Sequence, residues 1–155
     1  MQTEVELRRK MHQRVEPGEH GDAVVAAVVV RLKEYGFLND QSFAETYARL
    51  RHENEKMGQR RVRQDLKQKG VHPDLIDETV SARYDETNEE ALAREHLERK
   101  RIAKPSNEKE AARVMRRLVT AGFSTTTIYK ILRRWDVPEE TLAALEHVEE
   151  EPGEE

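Results

Sequence analysis

Apolar residues recur along this chain at intervals of three and four, and glycines and prolines break that pattern into segments of similar length. Such spacing places one stripe of each segment on a common helical face. Thr3 to Arg14 reads as a short helix, followed by a turn over Glu16–Gly21. A second helix runs from about Ala23 to Tyr35 with Val24, Val28 and Leu32 inward, and Gly36 stops it. Asn39 or Asp40 caps a third, whose stripe is Phe43, Tyr47 and Leu50. After Gly58 the chain carries Val62 and Leu66 on one face and ends at Lys69-Gly70. Pro73 and Asp74 suit the first turn of the next helix, with Ile76, Val80 and Tyr84 inward.

Thr87 and Glu90 have capping-box spacing and open a charged helix through Leu92, Leu97 and about Ile102. Asn107 and Glu110 repeat the cap-and-acid spacing ahead of Ala111, Met115, Leu118 and Val119, and Gly122 ends that helix. Ser124 caps the next, with Ile128, Ile131, Leu132 and Trp135 inward, and Pro138 can start a last one. The fold class is therefore all-α.

A repeat underlies the pattern. Leu66, Gly70, Val71, Ile76 and Val80 match Leu118, Gly122, Phe123, Ile128 and Leu132 at the same spacing. In both copies a basic helix ends on glycine, an apolar residue follows, and a second helix packs an i, i+4 pair. Leu7, Met11, Val24 and Val28 form a looser third copy. Repeats of this length imply stacked supersecondary units. The expected architecture is tandem three-helix repeats in an elongated, curved array: an incomplete repeat over 1–36, a middle one over 37–84, a last one over 85–136, and an acidic tail over 137–155, partly helical or disordered.

The stretch Leu32-Lys-Glu-Tyr-Gly-Phe-Leu-Asn-Asp-Gln-Ser-Phe-Ala-Glu-Thr-Tyr47 resembles the signature of the RecX family. Gly58-Gln59-Arg60-Arg61 and Leu66-Lys67-Gln68-Lys69-Gly70-Val71 resemble that family's basic second helix and its Lys-Gly turn. Leu7-Arg8-Arg9-Lys10-Met11 and Leu118 through Phe123 match the first and last repeats, so the likeness covers about residues 5–136. The resemblance implies a regulator of RecA recombinase, usually an inhibitor, that lies in the groove of the RecA–DNA filament. It thereby implies a role in DNA recombination, DNA repair and the SOS response.

Composition changes the picture in two ways. Charged residues make up 37% of the 155 and aromatics only 5%, which suits thin helical layers better than one large core. Of 31 acidic residues, eight lie in 137–155, where there is no Lys or Arg. The remaining 136 residues hold 27 basic and 23 acidic side chains, so the body is basic although the chain carries −4. That separation fits work near polyanions, with a tail that competes for the same surface. The longest apolar run, Ala23 to Val30, is too short to cross a bilayer. No signal-peptide core precedes it, so a cytoplasmic monomer is expected, with no membrane partner.

Without cysteine, thiolate metal sites and disulfides are excluded. His12, His20, His52, His72, His96 and His147 are scattered and form no zinc-binding pair. No phosphate loop or nucleophile motif occurs. No catalysis, cofactor or metal is expected. Carboxylates such as Glu90 and Glu95 stand at ion-pair spacing from Arg94 and Arg99.

The basic clusters are the candidate sites, for DNA phosphate or an acidic protein surface. Arg60, Arg61, Arg63, Lys67 and Lys69 crowd one helix, with Arg60, Arg63 and Lys67 on one face. Arg99, Lys100, Arg101 and Lys104 form a second cluster; Arg113, Arg116, Arg117, Lys130, Arg133 and Arg134 form a third. Aromatics do not interleave with them, so contact with single- or double-stranded DNA would be through the backbone and without sequence preference. Two alternatives stay open: a helix-turn-helix transcription regulator, and a helical scaffold that binds only proteins.

Overall fold

In the computed structural model, which describes residues 1–146, the chain is helical throughout, with no strand among the described residues. The helices are α1 (Glu4–His12), α2 (Glu19–Glu34), α3 (Asp40–Glu53), α4 (Gln59–Gln68) and α5 (Pro73–Tyr84). Then come α6 (Glu89–Arg99), α7 (Glu108–Thr120), α8 (Thr125–Arg134) and α9 (Glu139–Leu145). The described residues form two compact units: Met1–Arg49 with Arg63–Arg83, and Leu50–Val62 with residues 84–146.

In the first unit, Val25, Val29 and Leu38 form a core onto which Leu7, Met11, Val15 and Leu32 pack. Thr3 ties two helix ends together. Its hydroxyl accepts from the Glu6 amide at the start of α1 and donates to the Lys69 carbonyl at the end of α4, at 2.5 Å. One buried side chain thus satisfies an orphan donor and an orphan acceptor. Tyr47 donates to Asp65 at 2.6 Å, which engages the acid of the basic α4.

In the second unit, α7 buries Ala111, Val114, Met115 and Leu118, and α8 buries Ile128, Ile131 and Leu132. Each of these larger side chains contributes about 1.5–3 kcal/mol through removal from water. Glu89, in the first turn of α6, accepts from the Ser124 amide and hydroxyl (both 2.9 Å) and the Thr127 hydroxyl (2.6 Å). A carboxylate of one helix thereby caps the N-terminus of another. Burial would raise the Glu89 value, but these hydrogen bonds and the charge of Arg60 together hold it below the ordinary carboxylate range.

The repeated glycine turns are structurally alike. Gly70 and Gly122 have φ of +83° and +97°. At each, two amides close the helix end: Gly70 to Lys67 and Val71 to Leu66, Gly122 to Val119 and Phe123 to Leu118, all at 3.0–3.1 Å. This is a Schellman closure with a buried apolar residue after the glycine.

Several expectations need correction. Helix α2 begins at Glu19, inside the expected Glu16–Gly21 turn, because Pro17-Gly18 already completes the break. Its inward residues are Val25 and Val29, while Val24 is 38% exposed. A helix with valine on every side carries no angular signal, and docking onto α1 chooses the register. In α3, Ala44 and Ala48 are buried with Phe43, and Leu50 is 42% exposed. Val119 is 47% exposed, and Trp135 is a half-buried C-cap residue rather than core. The cap of α6 is Asn88, which accepts from the Ala91 amide, and not Thr87. Glu90 pairs with Arg134 of α8 (2.8 Å) and Glu95 with Lys56 of the segment before α4 (3.6 Å), rather than with Arg94 and Arg99 on their own helix. Pro138 does start a last helix, α9, which buries Leu142 and Leu145. The expectation for the acidic end beyond it, with Glu149, Glu150, Glu151, Glu154, Glu155 and His147, lies outside the described residues.

Candidate functional site

The second unit contains an open groove of about 640 Å³ built from three pieces of chain. The end of α7 and the start of α4 form its frame. The Gly58 amide donates to the Ala121 carbonyl at 2.8 Å, and the Arg60 amide to the Gly122 carbonyl at 3.3 Å. Arg61 adds a guanidinium bond to the Thr120 carbonyl at 3.1 Å, at the negative end of the α7 dipole. This contact is close because neither Gly58 nor Gly122 has a Cβ: one added at Gly58 would stand 2.3 Å from the Gly122 oxygen.

Arg113, Arg116, Arg117 and Thr120 line one wall, at i, i+3, i+4 and i+7 along α7. Lys100, the C-cap residue of α6, lines another with Ile102 and Met57. His96 completes the lining; it is 5% exposed, and its Nδ1 lies 3.0 Å from the Glu55 carbonyl oxygen. Burial is the main cause that holds the His96 imidazolium below the ordinary histidine range; the Glu55 carbonyl opposes this, and the charges of Lys100 and Arg117 add to it.

Among the described residues, five cationic side chains and no carboxylate therefore line one concavity. Lys100, Arg113, Arg116 and Arg117 form no ion pair among the described residues. Like charges gathered in one place raise the local potential, and a concave low-dielectric wall focuses it. Guanidinium groups in such a place offer paired N–H donors that match phosphate or carboxylate oxygens. The arrangement can bind an anion. Among the described residues no group of His, Asp or Glu is placed to hold a metal ion.

The basic residues named from sequence fall in different places. Arg61, Lys100, Arg116 and Arg117 meet in the groove, with Arg113 of the third cluster. Arg60 and Lys67 are exposed, but Arg63 of the same face pairs with Asp77 at 2.5 Å and reaches Ser81 at 3.3 Å. Lys69 lies over the Tyr47 and Phe43 rings (5.6 and 6.0 Å) and 3.9 Å from Glu6. Arg133 pairs with Glu139 at 3.3 Å and Arg134 with Glu90. Arg99 is exposed, and Arg101 is exposed in the turn after α6 with φ +54°. His96, Met57, Ile102 and Thr120 were not among the candidates. The α7 spacing from Arg113 to Thr120 was the available sequence signal for that wall; nothing in the spacing of His96 marked it.

A family model described as RecX, second three-helix domain, matches residues 39–80, which span α3 to α5. The regulatory protein RecX of Mycolicibacterium vanbaalenii is 31% identical over 137 residues, covering 84% of this chain and 72% of that one. This chain belongs to the RecX family. The RecX of Bacillus velezensis is 31% identical over 147 residues; the match takes in 94% of this chain but only 54% of that longer protein. Two solved RecX structures share the fold. The one from Lactobacillus salivarius has a TM-score of 0.64 at 20% identity, covering 88% of this chain and 86% of that one. Another regulatory protein RecX has a TM-score of 0.67 at 23% identity, covering 86% and 64%. The likeness read from Leu32–Tyr47 and the basic repeats, and the all-helical fold class, are both borne out. The RecX relatives bear the name of regulatory proteins. No helix among the described residues is long and apolar enough to cross a membrane.

Proposed function

We propose that this chain regulates RecA recombinase by binding the RecA–DNA filament, and that the groove lined by Arg61, Lys100, Arg113, Arg116 and Arg117 is its polyanion contact. Membership of the RecX family supports the partner, and the acid-free groove is the observation that carries the contact. The DNA of such a filament presents phosphates that repeat along its axis. Read as repeats over 1–36, 37–84 and 85–136, the chain would suit a partner that repeats along an axis. Engagement of several protomers turns modest contacts into high affinity for filament over free RecA.

The test is RecA's DNA-dependent ATP hydrolysis and strand exchange, measured while this protein is titrated. Inhibition at well below one molecule per RecA is the expected result. Changing Arg113, Arg116 and Arg117 together to glutamate is expected to abolish it and to flatten the salt dependence of DNA binding by about three units. Changing Arg60, Arg63 and Lys67 to glutamate reverses charge on α4 instead and separates the two surfaces. If the wild-type protein neither binds the filament nor alters either activity, the regulatory reading fails. If inhibition survives the groove reversals and is lost in the α4 set, the groove is the wrong surface.

A further inference from the structure

The basic groove holds one group that can change its charge near neutral pH. His96 comes from α6, and its Nδ1 faces the Glu55 carbonyl at 3.0 Å. A carbonyl oxygen only accepts, so Nδ1 carries the proton and Nε2 of the neutral ring carries none. Nε2 makes no hydrogen bond among the described residues. Three charged residues act on the ring: Lys100 on its own helix, Arg117 from α7, and Glu55 from the segment before α4. The Glu55 carboxylate is itself paired with Arg51, and the uncharged Phe123 ring stands edge-on at 5.8 Å. Arg61, Arg113 and Arg116 line the rest of the groove. In the empty groove, an imidazolium here would sit partly out of water beside cations.

We propose that phosphates bound in this groove bring a proton onto His96, so that the groove holds a phosphodiester strand more tightly in mild acid. The inference rests on reading the groove as the polyanion contact. A phosphate beside Lys100 and Arg117 cancels the repulsion that opposes protonation, and its oxygen accepts from the new Nε2–H. One proton is taken from solvent, the ring gains one positive charge, and no covalent bond changes. Linkage then sets the sign: a ligand that raises the proton affinity of His96 is itself bound more tightly as pH falls. Phosphodiesters keep their charge throughout this range, so the strand contributes no titration of its own.

Binding of a short thymidine oligonucleotide, measured by fluorescence anisotropy at fixed salt near pH 7.5 and near pH 5.5, tests this. Wild type should tighten severalfold at the lower pH, because the bound protein holds the His96 proton more firmly than the free protein. His96→Asn keeps a donor for the Glu55 carbonyl but takes no proton. Whatever its affinity at the higher pH, it should lose most of the tightening between the two pH values. In parallel, the NMR titration midpoint of the His96 ring should move to higher pH when the oligonucleotide is added. If His96→Asn fails to fold, that wild-type midpoint decides, and an unchanged midpoint overturns the inference. Binding that tightens equally in the variant overturns it while leaving the groove as the contact. Binding that is absent, or indifferent to Arg113→Glu, Arg116→Glu and Arg117→Glu together, overturns the groove reading itself.

Discussion

Alanine at Gly122 tests the frame of the groove. Gly122 has φ +97°, and a Cβ there would stand 2.4 Å from the Arg61 amide nitrogen and 2.7 Å from the Gly58 oxygen. The left-handed backbone costs a non-glycine residue about 1–2 kcal/mol. The clash is with backbone, so the α4 start must move, weakening the bonds from Gly58 to Ala121 and from Arg60 to Gly122. Each is worth about 0.5–1.5 kcal/mol, which brings the expected loss to about 3 kcal/mol. Gly36 is the internal control: φ is +75°, yet an added Cβ meets nothing within 4 Å. Gly36→Ala should therefore cost only the backbone part, about 1 kcal/mol. In a chain of this size the two losses correspond to about 10 °C and about 3 °C in Tm. Urea and thermal unfolding followed by far-ultraviolet circular dichroism give both numbers. Equal losses in the two variants would show that the contact with α4 carries no weight, and the account of how Arg61 reaches the α7 end would be wrong.

Acid should act on Glu89 with a defined sign. Its folded value is lowered, so its contribution is present above the ordinary glutamate range and is lost as pH falls through the folded value. Glu89→Gln should destabilise at neutral pH by about 1–2 kcal/mol, with the gap to wild type closing in acid; a gap constant with pH, from urea unfolding at several pH values, refutes the capping role. His96 also has a lowered value, so the unfolded chain takes up its proton first and stability begins to fall below about pH 6.5. Deleting 147–155 removes Glu149, Glu150, Glu151, Glu154 and Glu155 and should strengthen DNA binding at low salt, with the difference vanishing at high salt; no change in affinity makes the tail a passive end.

What the residue order determined by itself was local and periodic. Glycine stops, the Asn107 and Ser124 caps, and the 52-residue echo of Leu66–Val80 in Leu118–Leu132 follow from backbone conformation and from i, i+4 spacing, which depend only on near neighbours. The family likeness rested on the same local features. Tertiary packing decided whatever needed a partner from elsewhere in the chain. An all-valine helix face has no preferred side until α1 docks on it, so Val25 and Val29 replaced Val24 and Val28. Basic clusters look alike in sequence, but a cation is available to a ligand only if no acid lies within reach. Asp77 takes Arg63, Glu90 takes Arg134, and Glu139 takes Arg133, whereas Lys100, Arg113, Arg116 and Arg117 meet none among the described residues. That sorting depends on which helices approach one another. Only the approach of Gly58 to Gly122, close enough for backbone to meet backbone, brought Arg61 beside the α7 arginines.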